Sequence, residues 1–413
     1  MTAGMGRVRR RVRVLGALAA AASWSALFVG GAQPAAADAQ SKQWYLAAMQ
    51  ADEMWKVTTG EGIKVAVVDT GVNPSTPSLQ GQVLKGVDVT GASGDETDDY
   101  RGHGTTMAEL IAGTGKGGGL KGLAPGAEII PVRMSDVGFM AKRNTVIGDM
   151  SKAIRAAADS DARIINVSMG SDFFLREGRE AVKYAQSKGK LVMASVGNEG
   201  HERNWQQYPA AYPEVVGVAS ADRDGEVSFY SQHAGTVDVA SPGSDVPGWC
   251  DNTFKSYCGG DGGTSSASAI ASASAALIWS LHPDWTANQV LNVLFDTAAR
   301  DWEDDERSEY LGHGLIRPSM NILKGKGDPG APDVSPLTKE KTTDAAESSD
   351  PSASTSASPQ PAKNGAEGDK AAAVKESDSS EDGTPLGLIL GLAAGVAVIG
   401  GVAYAVVRRR KTA

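Results

Sequence analysis

Val65-Ala66-Val67-Val68-Asp69-Thr70-Gly71 reads as a short strand, apolar at every position, that ends in an acid and a turn. A run with no polar alternation is buried on both faces, the mark of a parallel sheet between helix layers. Ile164-Ile165-Asn166-Val167, Leu191-Val192-Met193-Ala194 and Val215-Val216-Gly217-Val218 have the same character. Among them, residues 149–160 and 176–188 carry the spacing of amphipathic helices. Thr286 with Gln289 forms a capping box that opens a helix ending near Arg300. Residues 265–281, rich in Ala and Ser, read as a small-residue helix suited to tight burial. Alternating strands and helices predict an α/β domain with a doubly wound parallel sheet. In such sheets reacting groups gather at the carboxyl ends of strands, where Asp69 stands.

Two further segments carry chemistry. Gly102-His103-Gly104-Thr105 opens a helix running through Ala108, Leu110 and Ile111. His103 is one of five histidines, and its flanking glycines let another backbone come close. Gly263-Thr264-Ser265-Ser266-Ala267 starts the Ala/Ser helix, so a hydroxyl there sits in the field of a helix N-terminus beside free N–H groups. Singly, a turn aspartate, a surface histidine and an N-cap serine explain these segments as well. Together they supply a carboxylate, a base and a hydroxyl, the set a serine nucleophile requires.

The chain order Asp, His, Ser is that of subtilisin. The segments VAVVDTGV, RGHGT, INVSMGS, ASVGNEG and GGTSSAS, in that order, resemble the subtilisin-like serine proteases over residues 42–324. The resemblance implies a subtilisin-type fold, peptide-bond hydrolysis and no metal or organic cofactor. It implies the triad Asp69, His103 and Ser265, with Asn198 as the oxyanion-hole amide. It further implies that Ser168, Met169 and Gly170 form a strand edge that pairs with an extended polypeptide substrate. The chain departs from the family pattern in three places. Thr106 stands where a histidine is common, Glu109 where a glycine is common, and no proline follows the Ser265 segment.

Composition narrows the rest. The chain has 413 residues, and 40 Lys plus Arg against 49 Asp plus Glu give a net charge of −9, which argues against a nucleic-acid partner. Only two cysteines are present, Cys250 and Cys258, too few for a disulfide scaffold or an all-cysteine zinc site. In an exported protein, two cysteines in one loop predict a disulfide. The acidic stretches at 95–99 and 301–307 match no calcium-ligand spacing and read as solvated charge.

The ends differ from the middle. Arginines between 7 and 13, an uncharged stretch from Val14 to Gly31 and Ala35-Ala36-Ala37 describe a signal peptide over 1–37. That leaves a peptidase domain over 38–324 with too little chain before Asp69 for a long propeptide, and Trp44, Tyr45 and Trp55 packing onto the domain. Residues 325–384 have the composition of a disordered linker. Residues 385–407 carry no charge and precede Arg408-Arg409-Arg410-Lys411. They predict one transmembrane helix with a basic cytoplasmic tail, 408–413, and the domain outside the cell membrane. This architecture is similar to that of the mycosins, membrane-anchored proteases associated with type VII secretion, and implies limited processing beside secretion components. A general cell-surface protease and an inactive scaffold are the competing readings.

Overall fold

The computed structural model describes residues 39–136, 146–147, 149–259, 262–303 and 306–342. In chain order the helices are α1 (Trp44–Ala48), α2 (Ala51–Met54), α3 (His103–Ala112), α4 (Met150–Asp159), α5 (Arg176–Ser187), α6 (Thr264–Leu281), α7 (Ala287–Asp296) and α8 (Pro318–Lys324). The strands are β1 (Lys64–Asp69), β2 (Val87–Asp88), β3 (Glu128–Arg133), β4 (Ser135–Asp136), β5 (Val146–Ile147), β6 (Ile164–Val167), β7 (Leu191–Ser195), β8 (Val216–Ala221), β9 (Val239–Pro242), β10 (Gly248–Trp249) and β11 (Tyr257–Cys258). Seven of these strands form one parallel sheet in the order β2-β3-β1-β6-β7-β8-β9, and β4-β5 and β10-β11 are small antiparallel pairs.

β1 shows why the sheet is buried on both sides. Val65 and Val67 face a core built with α3, α6 and α7, while Ala66 and Val68 face a second core built with α4 and α5. Successive strand residues point to opposite faces, so an apolar run is needed when both faces are covered. The sheet order reverses at β1, which has β3 on one side and β6 on the other. Asp69 therefore ends β1 at a topological switch point, where the strand ends leave a crevice.

The expected helices at 149–160 and 176–188 form as α4 and α5 with their flanking caps, and Asp149 caps α4 through Ser151 N–H. The Thr286–Gln289 capping box opens α7. α7 stops at Asp296, short of the expected Arg300: Thr297 turns its hydroxyl back onto the Val293 carbonyl and caps the last turn. The N-terminal aromatic segment does pack on the domain, with Tyr45 buried and the indoles of Trp44 and Trp55 donating to the carbonyls of Ser244 and Leu123.

Residues 325–342, expected as the start of a linker, are instead folded onto the domain. Residues 325–342 lie against α7 as a strap: Asn292 donates to Pro329 O (2.9 Å), Asn288 to Pro332 O (3.0 Å) and Asp328 N–H to the Asp296 carboxylate (3.0 Å). Leu337 packs on the main core. Averaged composition hid this, because polar side chains of α7, not apolar bulk, hold the strap's backbone. The described part of the expected linker is thus folded, and the rest of it, 343–384, lies outside the described residues. So do the expected signal peptide, transmembrane helix and basic tail. Among the described residues no helix is long and apolar enough to cross a membrane.

Candidate active site

The sheet's carboxyl edge and two helix N-termini bring His103 and Ser265 to one cleft, with Asp69 buried behind His103. Asp69 is fully buried; its Oδ1 accepts from His103 Nδ1 at 2.7 Å and from Thr70 N–H at 2.8 Å. His103, the first residue of α3, keeps 39% of its side chain exposed. Loss of solvent around the ring lowers its pKa, yet the Asp69 charge and hydrogen bond outweigh this and hold it above the ordinary histidine value. The close approach predicted from the flanking glycines is present: a Cβ on Gly104 would run into the Gly71 carbonyl and Asp69.

Asp99 corrects the reading of residues 95–99 as solvated charge. It is 5% exposed and caps α3 from outside, accepting from Gly102 N–H (2.8 Å), from Thr105 N–H (2.8 Å) and hydroxyl (2.7 Å), and from the Thr70 hydroxyl (2.8 Å). An anion at a helix N-terminus satisfies N–H groups that have no partner within the helix. Among the described residues no cluster of His, Cys, Asp and Glu fit to hold a metal is found.

Ser265 lies in the first turn of α6. Its Oγ donates to the Ser168 carbonyl at 3.1 Å rather than to His103, and Ser168 Oγ donates back to the Ser265 carbonyl at 3.3 Å. Asn198 follows β7; its Oδ1 accepts from Thr264 N–H (2.9 Å) and Thr264 Oγ1 (3.0 Å). The carboxamide is thereby oriented with Nδ2 left as its donor, close to Gly263. Asn166, inside β6, ties these parts together. Its Oδ1 accepts from Ser268 (2.9 Å) and Ser272 (3.1 Å) of α6, while its Nδ2 donates to Ser168 Oγ (2.9 Å). Sequence reading took Asn166 as a strand residue only; the one signal it offered was an amide inside an otherwise apolar run.

The cleft has two halves that meet at Ser265 and Asn198. One, of about 230 Å³, is lined by Ser168, Met169, Gly170 and Gln207. The other, of about 360 Å³, is lined by His103, Met107, Val246 and Trp249, with Cys250 and Cys258 at its wall. These two cysteines form the expected disulfide.

Glu109, one of the three departures from the family pattern, is fully buried in α3. It accepts from Thr76 Oγ1 (2.8 Å) and from the Tyr257 hydroxyl (2.7 Å). Burial pushes its carboxyl up to about 7, only partly opposed by these hydrogen bonds.

An Asp–His pair facing a helix-borne serine across the carboxyl edge of a parallel sheet places the domain among serine-nucleophile α/β proteins. The sequence pattern of the Subtilase family (peptidase S8) matches residues 60–314, and the chain belongs to that family. Thermitase of Thermoactinomyces vulgaris is 36% identical over 216 residues, 52% of this chain and 73% of thermitase. A thermophilic serine proteinase of Bacillus sp. (strain AK1) is 35% identical over 229 residues, so the chain spans only 55% of that relative's length. Among solved structures, the MycP3 protease from the type VII (ESX-3) secretion system is similar, with 28% identity and a TM-score of 0.57 over 68% of this chain and 88% of that one.

Proposed function

We propose that this chain is a serine endopeptidase in which Asp69, His103 and Ser265 act as the triad. The observation that carries the proposal is the 2.7 Å bond between His103 Nδ1 and the buried Asp69 carboxylate, with Ser265 in the same cleft. That bond fixes the tautomer with Nε2 free to accept a proton. The Ser265 hydroxyl leaves the Ser168 carbonyl and gives its proton to His103 as Oγ bonds to the peptide carbonyl carbon. Hydrogen bonds of this kind commonly tighten only when substrate arrives. Asn198 Nδ2 and the Ser265 N–H hold the oxyanion. His103 then protonates the leaving amine as the C–N bond breaks, and water repeats the sequence on the acyl-enzyme. Ser168, Met169 and Gly170 offer an edge for the acyl side of an extended polypeptide.

The finer part of the proposal is a protease tethered to a cell membrane and working beside a type VII secretion machinery. It is supported by the uncharged 385–407 stretch before four basic residues, and by the similarity to MycP3. The full-length chain, extracted in detergent, is expected to cut denatured casein, and Ser265→Ala to abolish the cutting. Carbonate extraction and external protease treatment of producing cells test the tether. A chain released by carbonate, or a domain shielded from external protease, would sink that part alone.

A further inference from the structure

The half of the cleft beside His103 is walled by a hairpin that the catalytic reading leaves unused. In the proposed mechanism His103 hands its proton to the leaving amine, so residues beyond the scissile bond occupy this half. The hairpin pairs Gly248 with Cys258 and Trp249 with Tyr257, and the disulfide Cys250–Cys258 closes it. Trp249 stacks on Tyr257 with ring centroids 3.8 Å apart and meets the edge of Phe254 at 5.4 Å. Trp249 is the large apolar side chain of this wall, with the nearly buried Met107 and Val246 behind it, while Arg101, His103, Thr106 and Ser266 line the rest.

Two bonds fix the hairpin to α3, and both come from positions where the chain departs from the family pattern. Thr106 Oγ1 accepts from Trp249 N–H at 3.0 Å, and Glu109 Oε2 accepts from the Tyr257 hydroxyl at 2.7 Å. Thr76 holds the other Glu109 oxygen at 2.8 Å, so the carboxylate is braced from both sides. The contact is tight at the helix start: a Cβ on Gly102 would stand 2.9 Å from the Trp249 Cβ. A buried carboxylate is costly to keep and is retained here among hydroxyl donors that lead to the cleft wall.

We propose that Glu109 is a positioning residue for substrate selection: through Tyr257 it holds Trp249 as the wall that receives the side chain just after the scissile bond, favouring a large apolar residue there. The proposal rests on the endopeptidase reading of the cleft. A cavity of about 360 Å³ accommodates such a side chain.

The test uses the full-length chain in detergent and two quenched peptides that differ only in Phe or Ala after the cleaved bond, with the cut site verified by mass. Wild type is expected to prefer Phe by about tenfold or more in kcat/KM. Tyr257→Phe removes only the hydroxyl, and Glu109→Ala removes the brace. Each is expected to shrink the preference at least about threefold, mainly through KM. Glu109→Gln keeps an acceptor toward Tyr257 and is expected to restore most of the preference. A fluorophosphonate probe reads Ser265 without filling this half, and it should still label every folded variant. An unchanged preference in both Tyr257→Phe and Glu109→Ala, or no preference in wild type, would overturn the proposal. So would loss of labelling in step with loss of cleavage of both peptides, which marks a purely structural role. A wild type that neither labels nor cleaves would remove the endopeptidase reading first, and this proposal with it.

Discussion

The acid–base half of the site and the nucleophile half are prepared to different degrees. His103 is already locked to a buried Asp69, and Asp99 caps α3 beneath it through the Gly102 N–H, the Thr105 N–H and the Thr105 hydroxyl. The Ser265 hydroxyl, by contrast, rests on the Ser168 carbonyl, whose own hydroxyl bonds back to Ser265. The proposed proton acceptor is therefore preorganised, while the proposed nucleophile rests in an alternative hydrogen bond to Ser168, in the segment just beyond β6 that would meet the substrate. Substrate pairing at Ser168–Gly170 would then coincide with release of the hydroxyl, which couples binding to activation.

The largest expected effect breaks the prepared half. Asp69→Asn should cut kcat by about 10⁴-fold, because the histidine loses the partner that selects its tautomer. It should also move the acid limb of the pH profile. His103 must be neutral to accept a proton, and Asp69 holds its pKa above the ordinary value. Wild-type kcat/KM is therefore expected to rise with pH through a midpoint above that of free histidine, and residual Asp69→Asn activity through a lower one. Steady-state profiles on one peptide check both.

Next comes the oxyanion donor. Asn198→Ala should lower kcat by about 10²–10³-fold with little change in KM, a magnitude carried over from a subtilisin. Thr264→Val sharpens this: it removes one of the two donors that orient the Asn198 oxygen and should cost about tenfold or less.

Asn166→Ala strikes the link between the halves of the fold rather than the chemistry. It leaves the buried hydroxyls of Ser268 and Ser272 without their acceptor, at a cost of about 1–3 kcal/mol in thermal unfolding.

The last effect, seen only at neutral and higher pH, is pH-dependent stability at Glu109. Its folded pKa of about 7 lies above the ordinary carboxyl value, so the folded state holds a proton that the unfolded state releases. Stability from this group is present at low pH and is lost as pH rises toward and through 7. Glu109→Gln should accordingly gain at most about 3 kcal/mol at pH 8 and nothing at pH 4. Melting curves at the two pH values check the sign.

The same contrast explains what the sequence made legible. The runs buried on both faces, the capping box at Thr286 and the motif residues announce themselves locally. β3 was missed because Pro131 interrupts its apolar run, and β9 because Ser241 and Pro242 fill half of it. The supports of the site are long-range. Asn166 meets Ser268 and Ser272 more than a hundred residues later, and Glu109 meets Tyr257 148 residues later. No local pattern announces such pairs. Asp99 looked like one more exposed acid until the fold set it beneath a helix start.

The central claim is that Ser265 becomes a nucleophile through His103. Its most direct test is fluorophosphonate labelling of the full-length chain in detergent, with the adduct located by mass spectrometry and His103→Ala and Ser265→Ala run beside it. A single adduct on Ser265 in wild type, absent from Ser265→Ala and strongly slowed in His103→Ala, is the predicted result. A folded wild type that takes up no label, or equal labelling in His103→Ala, would contradict the account.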